Sequence, residues 1–372
     1  MPKTPAVRRL FTATDKELFD FLMGSKQQMT EATMLDSAKE RGIFYSHKDN
    51  RETLANNLSL LPYDYDSLDN ILGRREATTR TEKLTSIRLN TKITIEEIKA
   101  ACAEYQTENR ADEKVTIAPH GPDRCTTKVQ YTELDYTKTR FLQRRDKEAN
   151  IEFHIDGDQT TVRIPAIPKA HDILARIKET LETNAKQPIP AEAIEIAHLT
   201  TPTARTTFFT KLISTMSGHK MENVTAVNIA QIRQDPDDSN ITQIADEKKK
   251  QVQSTMLAVV EKVAIQGQGL LASTEYQELQ KKGFYITSII WRAKMLIAPY
   301  DIVELFAGFT QPNKGKGFAY NVRGVSRNHG GEYTTTLRPL NPNERASYHT
   351  LIEQTAREIL QTLADQPSTG IS

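Results

Sequence analysis

Four stretches towards the C-terminal end of the chain, FYITSIIWRAK (284–294), DIVELFAGF (301–309), GFAYNVRGV (317–325) and EYTTTL (332–337), decide the fold class. They are rich in β-branched and aromatic residues, and Pro, Gly and Asn separate them as turn formers do. This rhythm predicts a four-stranded antiparallel meander. Asn341-Pro342 then offers a cap and a first helical residue, so a helix is expected to about Leu363 with Leu351, Ile352, Ile359 and Leu360 on its apolar side. A sheet closed by helices is an α+β arrangement.

Reading back from the meander, helical spacing covers about Ile244–Ile265 and Pro202–Met216, the latter burying Phe208, Phe209, Leu212 and Ile213. Strands are expected over Ile194–Leu199 and Val224–Ile232. Earlier still, Leu84–Leu89, Lys114–Pro119, Thr126–Tyr136, Thr139–Gln143, Ala149–Ile155 and Gln159–Pro165 read as strands, with helices over Thr94–Glu108 and Ala170–Leu181. Asp156-Gly157 joins two of these strands as a tight hairpin, because the turn needs positive φ and this pair tolerates it. The expected organisation is a small helical module over 1–80, a central, mostly antiparallel α+β domain over 81–235, and a long helix, meander and C-terminal helix over 240–372.

The first eighty residues are helical in pattern. Thr14 and Glu17 form a capping box ahead of Leu18, Phe21 and Leu22. A second helix runs from about Glu31 to Arg41 and stops at Gly42, and a third from about Asn50 to Leu61 stops at Pro62. Met34, Leu35 and Ala38 on the first of this pair, Gly42 at its end, the apolar connector Ile43-Phe44-Tyr45-Ser46, and Leu54 and Leu58 on the second resemble the SAP-like, or helix-extension-helix, family of small modules. The resemblance covers roughly a tenth of the chain and implies nucleic-acid docking. The start of the second helix departs from the usual basic pattern, being the mixture Lys48-Asp49-Asn50-Arg51.

At 372 residues with 38% hydrophobic and 26% charged composition, the chain is globular rather than disordered or coiled-coil. No run of about 20 apolar residues occurs, so no membrane-spanning helix is expected. Lys and Arg total 49 against 48 acids, so attraction to a polyanion has to come from local patches. Two cysteines, Cys102 and Cys125, build neither a disulfide framework nor a zinc site. Lys3, Arg8 and Arg9 precede no apolar signal core. The expected setting is the cytoplasm.

Catalytic signatures are sparse. HExxH, Walker A and GxSxG patterns are missing from the sequence. Gly267-Gln268-Gly269 reads as a helix end, and Gly315-Lys316-Gly317 as a hairpin closure rather than a phosphate loop. Glu133 and Asp135, or Glu152, Asp156 and Asp158, are the raw material for a Mg²⁺ site, but solvent-facing strand and turn roles explain them as well. His120 with Cys125, and His329 in Arg327-Asn328-His329-Gly330-Gly331, lack an identifiable nucleophile partner. Neither a cofactor nor a metal is expected.

Charge is uneven in one place. Between Thr310 and Arg338 the basic residues Lys314, Lys316, Arg323, Arg327 and Arg338 face a single acid, Glu332. Alternation puts Phe318, Tyr320 and Val322 on one side of the strand and Arg323 on the other, so the aromatics are expected in the core and the cations in water. A second patch comprises Lys138, Arg140, Arg144, Arg145 and Lys147. The sequence therefore predicts a nucleic-acid-associated binding protein or a non-catalytic subunit, touching DNA or RNA phosphates through Lys314, Lys316, Arg323, Arg327, Arg140 and Arg144. The alternatives are a protein-interaction or scaffold subunit without nucleic-acid contact, and a Mg²⁺-dependent nuclease.

Overall fold

The computed structural model describes residues 13–24, 29–73, 82–108, 113–137, 143–231, 250–258, 278–279 and 281–364. The chain forms two compact units. One comprises Met1–Arg80, Ile95–His120 and Cys125–Asn150, and the other Thr81–Thr94, Gly121–Arg124 and Ile151–Ser372.

In the first unit α1 (Asp15–Gly24), α2 (Glu31–Glu40), α3 (Arg51–Ser59) and α4 (Tyr65–Gly73) share a core. The capping box is present, the Thr14 N–H donating to Glu17 Oε2 at 2.9 Å and the Glu17 N–H to Thr14 Oγ1 at 3.3 Å. Met34, Ala38, Leu54 and Leu58 are buried together, and Gly42 ends α2 in the left-handed region. In the connector, Ile43 and Tyr45 pack inwards while Phe44 is 77% exposed. Helix α5 (Ile95–Thr107) accompanies the hairpin β2 (Glu113–Pro119) and β3 (Arg124–Leu134), and β4 (Arg144–Asp156) starts in this unit.

The second unit holds a large antiparallel sheet in the order β4, β5 (Gln159–Pro165), β1 (Leu84–Leu89), β10 (Lys316–Ser326), β9 (Ile302–Gln311), β8 (Phe284–Met295) and β7 (His219–Gln231). Short β6 (Ala191–Ala193) adds to β1. Helices α6 (Pro168–Ala185), α7 (Pro202–Ser214) and α8 (Pro342–Ala364) complete it, with α7 against β8 and α8 against β10. The core between them is aromatic: Phe208, Phe209, Phe309 and Phe318 meet edge to face or tilted, beside the buried Trp291 and Tyr320.

Three strands of the expected meander are present as β8, β9 and β10; the fourth is corrected. Only Glu332–Tyr333 (β12) is extended, paired with Asn328–His329 (β11) in a separate two-stranded ladder. Gly330 and Gly331 both take positive φ and fold Glu332-Tyr333 back onto Asn328-His329, and the chain then rejoins β10 by one bridge only, Val325 and Arg338 exchanging N–H···O bonds at 3.0 Å and 2.9 Å. Further along the same edge of β10 lies β1, where Leu84 opposes Tyr320. Ile194–Leu199 is also not a strand: Ile194 and Ile196 are buried, but ladder pairing stops at Ala193. Residues 250–258 of the expected long helix are helical, and the remainder of that stretch, Gly267-Gln268-Gly269 and most of Thr139–Gln143 lie outside the described residues.

Candidate nucleic-acid interface

Phe318, Tyr320 and Val322 are buried and Arg323 is exposed, as expected, but Ala319, Asn321 and Val325 are buried as well, and the register shifts between Val322 and Gly324. The exposed side carries a carboxylate flanked by two guanidiniums. Glu304 on β9 is buried, and it accepts from Arg292 Nε on β8 at 2.9 Å and pairs with Arg323 Nη1 on β10 at 2.8 Å. The carboxylate is enclosed while both arginines keep 37% and 48% of their side-chain surface. One acid thus holds two guanidiniums side by side facing water, leaving one net positive charge.

Strand register extends this face. Lys294 lies two residues beyond Arg292 on β8 and opposes Lys220 on β7. Its ammonium sits 5.4 Å from the Tyr333 ring, and hydrogen bonding to Tyr333 raises its pKa. Arg327 follows the end of β10, where its charge acts on Glu344 at the start of α8. Arg338 is spent elsewhere, forked onto Glu344 with both bonds at 2.8 Å and 3.8 Å from Asp301. That fork draws the Glu344 pKa down to about 2.

The structure separates Lys314 and Lys316 from Arg323 and Arg327, which the sequence grouped. Arg323 and Arg327 lie towards one end of β10, while Lys316 opens the strand at the other end, about 23 Å from Arg323 at 3.3 Å per residue. Lys316 is 3.5 Å from Glu195. Lys314 is exposed in the single 3-10 turn Pro312–Lys314, which Arg205 pins by donating to Pro312 O at 2.9 Å. Arg140 lies outside the described residues, and Arg144 opens β4 with its side chain outside the described set. Arg292, Lys294 and Lys220 were missed because they enter the patch by cross-strand register; β8 alternation alone signals that the first two share a face.

Sequence reading also missed a buried ionic cluster. Arg163 on β5 forks onto Glu353 of α8, at 2.7 Å and 3.0 Å, and donates to Thr350 Oγ1 at 2.6 Å. The Tyr320 hydroxyl donates to the same carboxylate. Burial opposes the Arg163 charge, but hydrogen bonds and attraction from Glu353 outweigh it and raise its pKa. Beside it, burial and then the Arg163 and Arg345 charges push His349 down to about 3. Being closed to solvent, this cluster anchors α8 to the sheet.

Several other candidate side chains are paired or buried. Glu133 pairs with Lys147 at 2.6 Å, and Asp135 accepts from Thr137. Cys125 is buried, and burial plus Cys102 raise its pKa to about 11, so no thiolate stands next to His120. Gly315 and Gly317 close the β9–β10 hairpin at positive φ. Among the described residues no three His, Cys, Asp or Glu side chains converge as metal ligands, and no helix is long and apolar enough to cross a membrane.

The chain matches no protein-family model and no curated sequence. Its site therefore has to be read from its own geometry.

Proposed function

We propose that this protein binds nucleic acid without catalysing a reaction on it, as a DNA- or RNA-associated protein or a subunit of a nucleic-acid complex. The observation that carries this reading is the Arg292–Glu304–Arg323 arrangement. Two guanidiniums braced by a buried carboxylate lose little side-chain freedom on meeting a phosphate, so their contact is made at low entropic cost. Lys294 and Lys220 widen the same face, and phosphate contacts of this kind position a backbone without reading sequence. The helical pair α2–α3, with its SAP-like apolar spacing, supports a second contact point.

The test is a fluorescence-anisotropy titration against labelled single-stranded and duplex DNA and RNA at two salt concentrations. Binding is expected to weaken steeply with salt. Arg292→Gln with Arg323→Gln should flatten the log K against log salt slope by about 1.8 for two lost phosphate contacts on B-DNA. Lys314→Gln with Lys316→Gln, at the far end of β10, should change it less. Wild-type protein that binds nothing at low salt, or a double variant that binds like wild type, overturns the reading.

A further inference from the structure

We propose that the tip of the β8–β9 hairpin, Leu296-Ile297-Ala298-Pro299-Tyr300, enters the base stack of a duplex as an apolar wedge while the phosphates lie along the cations behind it. The proposal rests on the nucleic-acid reading above and names its ligand class, double-stranded rather than single-stranded. Leu296, Ile297 and Tyr300 are 57%, 68% and 47% exposed, and Ala298 and Pro299 between them are exposed too. Scattered apolar residues on a surface are ordinary, whereas a contiguous run at a loop tip marks a contact site.

This tip is held in place. The Leu296 N–H donates to Gly218 O at 3.0 Å and the Tyr300 N–H to Ile297 O at 2.9 Å. The small β11–β12 hairpin braces it from the side, Asn328 Nδ2 donating to Pro299 O and the Tyr333 hydroxyl to Tyr300 O, each at 3.3 Å. A wedge already in shape gives up little entropy on insertion.

Charge behind the tip selects the partner. Lys220 and Lys294 stand directly opposite each other on β7 and β8, an arrangement that repels until an anion lies between them; Glu222 nearby offsets part of that charge. Arg292 and Arg323 form a further level behind, about 7 Å back at two residues per step. A flat anionic surface meeting the tip reaches the first level only. A polyanion lying across the sheet reaches both, and a duplex adds the stacked apolar interior that Leu, Ile and Pro wedges open and kink.

The experiment compares wild type with Leu296→Ser, Ile297→Ser on a short DNA duplex and on a single strand of the same sequence, with end-labelled duplex reporting bending by energy transfer. These side chains are exposed, so the variant should keep the wild-type melting temperature. Expected are a bent duplex with wild type, loss of bending with the variant, and about tenfold weaker duplex binding with single-strand binding within about twofold of wild type. A duplex bound unbent, or a variant that matches wild type on duplex, overturns the wedge and leaves phosphate binding standing. Wild type that binds neither nucleic acid overturns both readings. Tip-dependent sedimentation with phosphatidylserine vesicles, without duplex bending, would assign the tip to a membrane surface instead.

Discussion

Replacing Glu353 by Leu should be among the most damaging single changes in the larger unit, and adding Arg163→Met should undo much of the harm. The two side chains are only 6% and 7% exposed and are joined by two hydrogen bonds at 2.7 Å and 3.0 Å. Removing the carboxylate alone strands a guanidinium in a space where Tyr320 has also lost its acceptor. Orphaning one partner of a buried pair costs about 3–5 kcal/mol. In a body of this size that is a fall of roughly 10 °C in melting temperature. Replacing both charges with apolar groups leaves mainly the Tyr320 hydroxyl unsatisfied, about 1–3 kcal/mol. Trp291, the one tryptophan in the chain, is buried in the adjoining core, so its fluorescence follows unfolding of this unit in urea. Wild type, both single variants and the double variant complete the cycle. A Glu353→Leu loss below about 1 kcal/mol, or a double variant as unstable as the sum of the singles, refutes the account of the cluster as a coupled buried pair. The nucleic-acid binding proposed above should survive in the folded double variant, because the cluster does not face solvent.

Three further outcomes follow from the same geometry. His349 has a folded pKa near 3, below the ordinary 6.5, so its neutral form contributes stability that is present above pH 6.5 and lost as pH falls towards 3. His349→Gln should flatten the stability profile in that window, measured as the difference from wild type by urea unfolding. Gly315→Ala should lower the melting temperature by several degrees, since φ is +65° and a Cβ would lie 2.8 Å from the Ile196 carbonyl carbon. Cys102 and Cys125 should stay unmodified by a thiol reagent at neutral pH until the protein is unfolded, because both are buried with raised pKa values; rapid labelling of native protein would contradict this.

Local signals read well from the sequence where a few adjacent residues decide the outcome. The Thr14 and Asn341 caps, the Asp156-Gly157 turn, and the buried faces of α2, α3 and α7 depend on contacts within one or two turns of chain. The α+β class and the core position of Phe318 and Tyr320 follow from periodicity alone. EYTTTL has strand propensity throughout but is strand only at Glu332-Tyr333: propensity states what a segment tolerates, and the Gly330-Gly331 turn decides that it meets Asn328-His329.

The proposed site belongs to the other category. Arg323 was visible as a cation on an exposed face, but its companions were not Lys314 and Lys316, its neighbours in sequence. They are Arg292 and Lys294, brought alongside by the β8–β9–β10 register, and Lys220, brought by β7. Arg163 and Glu353, 190 residues apart, meet only because β5 joins the sheet through β1 and α8 lies across it. By itself the sequence determined the elements and which side of each is apolar, because alternation and helical spacing act within a segment. Which charges stand together was decided by the tertiary structure, since the energy of a charge depends on neighbours that only strand order and register supply.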